Sequence, residues 1–350
     1  MSGSFIKELS FIRFKNVTIM GFNDCNFLTK LPDLSSILNL KELIVEKCTS
    51  LVEVHDSVGS LDNLLKLSFH ECSNLRIFPR RLKLRSLRNL NLSDCSNLHE
   101  FPEIGCEMKY LSSLNLLRSA VEELPISIRN LAGLDALIIN GCKNLVLLPI
   151  FLLQNLRKLG IGGPTMEDEI LLSEERLLDL QHPTNSSTAL QVLNLSNCPQ
   201  IESSFFPKSS FFTMFNSSAT LRKLILSESE MVSLPSSIKG FVALSELYLR
   251  DCEKLEEILE LPPNIKSVDA TGCISLQRFS EVLRILKFDG SHIRSLHMIQ
   301  LGGCKKMHEK IWNYKVPNPL LWKVCIYFSH SLSQFFVRCM TLKLMMMILV

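Results

Sequence analysis

The chain has 350 residues, 38 Lys or Arg against 35 Asp or Glu, a formal net charge of +3 and a mean hydropathy of +0.19. A near-neutral balance without a broad basic stripe argues against nucleic-acid binding, since only Arg76, Arg80, Arg81, Lys83, Arg85 and Arg88 cluster. Residues 305–350 hold seven of the basic residues and one acid, so the body before them is slightly acidic.

In chain order, the first twenty residues lack the basic start, apolar run and small-residue cleavage site of a secretory signal. From Val17 an apolar pattern then returns, L-x-x-L-x-L-x-x-C, as in Leu40, Leu43, Val45 and Cys48 or Leu64, Leu67, Phe69 and Cys72. Its copies begin at Val17, Leu40, Leu64, Leu87, Leu111, Leu134, Leu156, Leu190, Leu221, Leu244, Ile265, Leu283 and Leu296, with early steps of 23, 24, 23, 24 and 23 residues. That period is the signature of a leucine-rich-repeat solenoid, in which one coil cannot bury its apolar face alone but a stack can. The expected fold is α/β, a curved horseshoe with a parallel concave β-sheet and an irregular or short-helical convex side. Alternation of apolar and polar residues before each cysteine gives the strands. The motif L-x-x-L/F-P that follows, ending at Pro32, Pro79 or Pro102, gives the convex turn, with His55 in place of one proline.

Nine of the twelve cysteines, Cys25, Cys48, Cys72, Cys95, Cys142, Cys198, Cys252, Cys273 and Cys304, share one repeat position, and Ser119 takes it in another copy. They read as small buried residues in neighbouring coils. No C-x-x-C pair occurs, so the sequence offers no zinc motif. Reduced thiols in this number point to the cytosol or nucleus.

The expected boundaries are a truncated edge at 1–16, a solenoid at 17–306 with insertions near 165–189 and 202–219, and an apolar tail at 307–350. In the tail, the longest uncharged run is 14 residues, Val324 to Val337, below the length a membrane helix needs. A search for chemistry finds no phosphate loop, no metal set and no cofactor motif, and His308-Glu309 lacks its second histidine because Trp312 stands there. The reading is therefore not an enzyme.

What remains is a protein-recognition surface on the concave face. One row of equivalent positions runs Glu46, His70, Ser93, Leu117 and Asn140. A second runs Lys47, Glu71, Asp94 and Arg118, and Tyr248 and Arg250 join Ile225 further along. Mixed charge with isolated Tyr and Arg suits a protein partner.

The stretch L-R-N-L-N-L-S-D-C-S-N-L-H-E-F-P from Leu87 to Pro102, with V-E-E-L-P at Val121 and S-L-P-S-S-I at Ser233, resembles the repeat domain of plant TIR-NBS-LRR disease-resistance proteins. The resemblance covers about residues 17–306. It implies an intracellular immune receptor whose solenoid senses a pathogen effector or a guarded host protein, contacts NBS or TIR domains and restrains a nucleotide switch. This chain contains neither a TIR nor a nucleotide-binding domain, so those activities are not carried over to it. The competing reading is a stand-alone scaffold, inhibitor or decoy for an unrelated protein.

Overall fold

A computed structural model describes residues 16–142, 152–153, 155–162, 190–197, 217–286, 295–312 and 325–327. The chain divides into two compact units, residues 1–190 and 191–350. In the first unit, strands recur at Ile19–Asn23, Glu42–Glu46, Lys66–Ser68, Asn89–Asn91, Ser113–Asn115, Ala136–Ile138 and Lys158–Gly160. Each pairs in parallel with the next at a fixed register that sets Leu43 opposite Leu67, Leu67 opposite Leu90 and Leu90 opposite Leu114. In the second unit, strands at Val192–Asn194, Lys223–Ile225, Glu246–Tyr248, Ser267–Asp269, Met298–Gln300 and Cys325–Tyr327 do the same. There Leu193, Leu224, Leu247, Val268 and Ile299 stand in line. The expected leucine-rich-repeat solenoid is the observed fold.

The register is held from inside. Leu43, Leu67, Leu90 and Leu114 are each 0% exposed, and burying a leucine is worth roughly 1.5 to 3 kcal/mol. A slip of one residue would turn this whole set toward water.

The far side of the coils is irregular, as expected. Short parallel pairs join Lys30–Leu31 to Glu53–Val54, Arg81–Leu82 to Glu103–Ile104 and Glu257–Ile258 to Arg278–Phe279. Single turns of 3-10 helix follow at Asp56–Ser60, Ile126–Asn130 and Ser236–Gly240. Pro125 and Pro235 cap two of these turns with extended backbone. Proline suits that place because its ring presets φ and it has no N–H to leave unsatisfied. His55 takes the third cap, and its Nδ1 accepts the Ser57 N–H at 3.2 Å.

One repeat boundary differs from the sequence reading. Leu283 does not open a coil, because Ser280–Leu286 is an α-helix. The strand that pairs next after Ser267–Asp269 is Met298–Gln300. Apolar residues spaced for a strand start also fit one helical turn, and a run this short does not separate the two periods. The insertion at 165–189, most of that at 202–219, Cys198, and residues 307–350 apart from 307–312 and 325–327 lie outside the described residues.

The cysteines explain how coils are joined. Cys72 Sγ donates to the carbonyl of Val45 at 3.3 Å, Cys95 to Phe69 at 3.1 Å, and Cys142 to Leu116 at 3.1 Å. Cys252, Cys273 and Cys304 do likewise to Leu226, Leu249 and Ala270. The acceptor is always the residue three before the equivalent position of the preceding coil. Four of these six carbonyls also accept their own coil's N–H, as Phe69 does from Cys72 at 3.3 Å and Leu249 from Cys252 at 3.4 Å. A thiol fits because it is small and apolar yet has one hydrogen to give. Burial pushes the Cys95 thiol up to about 12, and the Cys48 sulfur together with burial holds Cys72 above the ordinary thiol range. At Cys72 and Cys95 this favours the neutral thiol, whereas the neighbouring thiol lowers Cys48 and Cys252. Ser119 takes the same place but not the same bond: it is buried with its Oγ 3.3 Å from Cys142 Sγ.

Candidate recognition surface

Immediately before each cysteine the chain turns in the left-handed region. Asp24, Lys47, Glu71, Asp94 and Arg118 have φ of 56, 58, 58, 60 and 52°, and Gly141 follows at 76° in the same register. For a non-glycine residue this conformation costs about 1 kcal/mol or more. It is held by the N–H of each turn residue, which reaches the next coil: Lys47 to the His70 carbonyl at 2.8 Å, Asp94 to Leu117 at 2.7 Å and Arg118 to Asn140 at 2.8 Å. The second predicted row is therefore a row of turn residues along the strand-end rim, and not part of the strands themselves. Nothing in a charged residue announces a positive φ, and only the glycines at 141, 272 and 303 hint at it.

Among these turns the structure brings together His70, Glu71, Ser93, Asp94 and Arg118. His70 Nε2 lies 2.8 Å from Glu71 Oε1, and Nδ1 lies 2.8 Å from Ser93 Oγ and 3.6 Å from Asp94 Oδ2. Arg118 forks onto Asp94, with Nη2 donating to Oδ2 at 3.0 Å. Ser93 spends its own hydrogen on Asn91 Oδ1 at 2.7 Å, so His70 Nδ1 donates to Ser93 and cannot take a proton from it. Ser93 is also only 1% exposed. A Ser-His-carboxylate grouping is present in distance, but its hydroxyl is committed as a donor and is closed to a substrate.

Sequence reasoning missed the column formed by the last residue of each strand. Asn91 Oδ1 accepts the Ser93 N–H at 3.0 Å, Asn115 accepts that of Leu117 at 3.0 Å, Asn194 that of Ser196 at 2.9 Å and Asp269 that of Thr271 at 3.0 Å. These side chains shape the bend into the left-handed turn, a local preference of Asn and Asp. The signal was an Asn or Asp four residues before the cysteine position. In a neighbouring coil Ser68 fills this column and donates to Glu46 Oε1 at 3.0 Å.

The face is not uniformly open. Glu46, His70 and Asp94 are half-buried and Lys47 is exposed, but Ala136, Ile138 and Asn140 are 8%, 1% and 0% exposed. Asn140 thus presents no accessible surface in this structure, and Leu117 presents part of one.

In the second unit Tyr248 is flanked by two cations. Lys223 Nζ lies 4.8 Å from the ring centroid and the Arg250 guanidinium 5.7 Å from it. Arg250 Nε donates to Asp269 Oδ2 at 2.6 Å, and the Gln300 amide faces the same carboxylate. The Tyr248 hydroxyl donates to Glu246 Oε2 at 3.2 Å, and burial followed by the Glu246 charge holds its phenol above the ordinary range. Tyr and Arg locked in this way lose little side-chain entropy when a partner covers them. Lys223, which the sequence reading passed over, is 7% exposed. No group of three or more metal-binding side chains occurs among the described residues.

A family model for the leucine-rich repeats of disease resistance proteins similar to RPS4B matches residues 83–279. The chain belongs to this family. It is 34% identical over 248 residues to disease resistance protein RPP5 of Arabidopsis thaliana, covering 70% of this chain and 15% of that protein. It is 30% identical over 283 residues to TMV resistance protein N of Nicotiana glutinosa, covering 69% and 24%. To disease resistance protein RPS4B of Arabidopsis thaliana it is 28% identical over 290 residues, covering 79% and 20%. The chain thus spans less than a quarter of the length of each of these relatives. It is a leucine-rich-repeat domain of the kind found in disease resistance proteins, a protein-interaction fold.

Proposed function

We propose that this chain is a non-enzymatic sensor module of plant defence acting in the cytosol or nucleus, recognising a pathogen effector or a guarded host protein through its concave face. In a longer receptor the same face would restrain a nucleotide-binding switch. The observation that supports this reading most directly is the ordered polar surface raised on an interior of repeated leucines, with Glu46, His70 and Asp94 in one unit and Tyr248 with Arg250 in the other. Aromatic and arginine anchors with satisfied hydrogen bonds favour a protein surface.

The test begins with a partner confirmed by direct binding of purified components. Tyr248→Ala and Glu46→Lys are expected to weaken that binding by about tenfold or more each. Glu122→Lys, on the far side of the coils, is expected to leave it unchanged. Unaltered binding in both concave variants, with unchanged circular dichroism, would overturn the assignment to this face.

A further inference from the structure

At the strand ends Glu71 is met by the His70 ring and Asp94 by Arg118, and the exposed Lys47 has no ion pair among the described residues. At the opposite edge of the first unit, where strands start, cations recur. There the backbone stacks coil on coil: the Lys41 N–H donates to the Thr18 carbonyl at 2.7 Å, Leu65 to Lys41 at 2.6 Å and Arg88 to Leu65 at 2.8 Å. This places successive coils roughly 5 Å apart. Lys41 and Arg88 stand at equivalent positions with Leu65 between them, and Lys66 is one residue further on, in register with Glu42 and Asn89; all three are exposed, and their side chains have no ion pair or hydrogen bond among the described residues. Beside Lys41 lies an open polar depression of about 390 Å³ lined by Asn16, Thr18, Asn39, Lys41 and Asn63. On the next coil of the same edge Tyr110 is 64% exposed.

We propose that this edge binds an acidic, extended segment of a protein partner laid across the coils. The inference rests on the reading of the chain as a protein-recognition module and names the chemistry of what it recognises. Three unanswered cations in consecutive coils call for carboxylates. Long Lys and Arg arms absorb the mismatch between coil spacing and the roughly 6.6 to 7 Å between like-facing side chains of an extended chain. In the depression Asn63 gives one amide hydrogen to the Leu38 carbonyl at 2.8 Å and keeps its amide oxygen and second hydrogen, a donor and an acceptor together, which suits peptide main chain better than a uniformly anionic polymer. Glu42 next to Lys41, and Asp62 next to Asn63, would repel a continuous phosphate backbone, whereas a peptide can leave neutral residues opposite them. Tyr110 adds an anchor of the kind favoured in protein interfaces.

The experiment uses the full chain and fluorescein-labelled peptides of about ten residues, one alternating Glu and Ser and one alternating Lys and Ser, with a single-stranded RNA of similar length. Fluorescence anisotropy at about 50 and 200 mM salt should show the Glu/Ser peptide binding best and weakening with salt. The triple variant Lys41→Glu, Lys66→Glu and Arg88→Glu should lose about tenfold or more, and Glu71→Gln at the other rim should not. If the triple variant fails to fold, the neutralising pair Lys66→Gln and Arg88→Gln carries the same test at a smaller loss. Equal binding of the Lys/Ser peptide, tighter binding of RNA, or indifference to both sets of substitutions would overturn the inference. Because Tyr248→Ala and Glu46→Lys leave this edge intact, failure here is distinguishable from failure of the concave-face assignment.

Discussion

Two rows of residues run side by side through each unit, one residue apart in sequence. The cysteine row is buried, apart from the half-buried Cys142, and keeps nearly one identity, while the left-handed turn row beside it carries Asp, Lys, Glu, Arg, Asn and Gly. Both are tied to the neighbouring coil by a hydrogen bond. The turn row uses its backbone N–H, which every residue except proline possesses, so the side chain is free to vary. The cysteine row uses its side chain, so the side chain is fixed. Structure and recognition are thus assigned to adjacent positions by which group supplies the proton.

The sharpest way to break this contrast is to remove interior volume next to the cysteine row. Leu90→Ala should cost about 2 to 5 kcal/mol in urea unfolding, because the site is fully enclosed. Cys95→Val should cost about 1 to 3 kcal/mol, since it removes the only hydrogen that Phe69 receives from the next coil while keeping an apolar group. Cys95→Ser should cost less than Cys95→Val, because a hydroxyl keeps a hydrogen for the Phe69 carbonyl. Arg118→Ala, in the turn row, should cost under about 1 kcal/mol despite losing its fork onto Asp94, because that pair is solvent-facing. A loss at Arg118 as large as that at Cys95 would erase the distinction.

Alkaline titration separates the rows again. The Cys95 thiol is raised in the folded chain to about 12, so the stability it contributes is full below the ordinary thiol range and is lost as pH rises through that value. The urea midpoint should therefore stay level from about pH 6 to 8 and fall above about pH 9, with a shallower fall in Cys95→Ser. An equally steep fall in that variant would assign the alkaline loss to other groups.

Much of this architecture was legible in the sequence. The spacing of Leu43, Leu67 and Leu90 gave the strands and their register, because interior packing tolerates little else there. The leucine at 283 misled, since a short apolar run is common to strand starts and helices. At the candidate surface, the row from Glu46 to Asn140 was found in the correct register, but the burial of Asn140 depends on what packs around one coil and has no local signature. Lys223 escaped notice because its role comes from Tyr248, a residue of the next coil, and cross-coil pairs lie about a repeat apart in sequence. The carboxamide bends at Asn91 and Asn115 were hidden within a position expected to vary.

The carbonyl that receives each thiol has a genetic consequence. Each cysteine needs only the strand end of whichever coil precedes it, and it makes no demand on that coil's own identity. Excising residues 64–86 in frame would bring Leu87 after Asn63 and set the Cys95 thiol against the Val45 carbonyl, the acceptor that Cys72 uses now. Unequal crossing-over between copies can therefore lengthen or shorten the array without leaving an unmatched joint, so that the number of coils is free to change from one generation to the next while the seam between them stays the same.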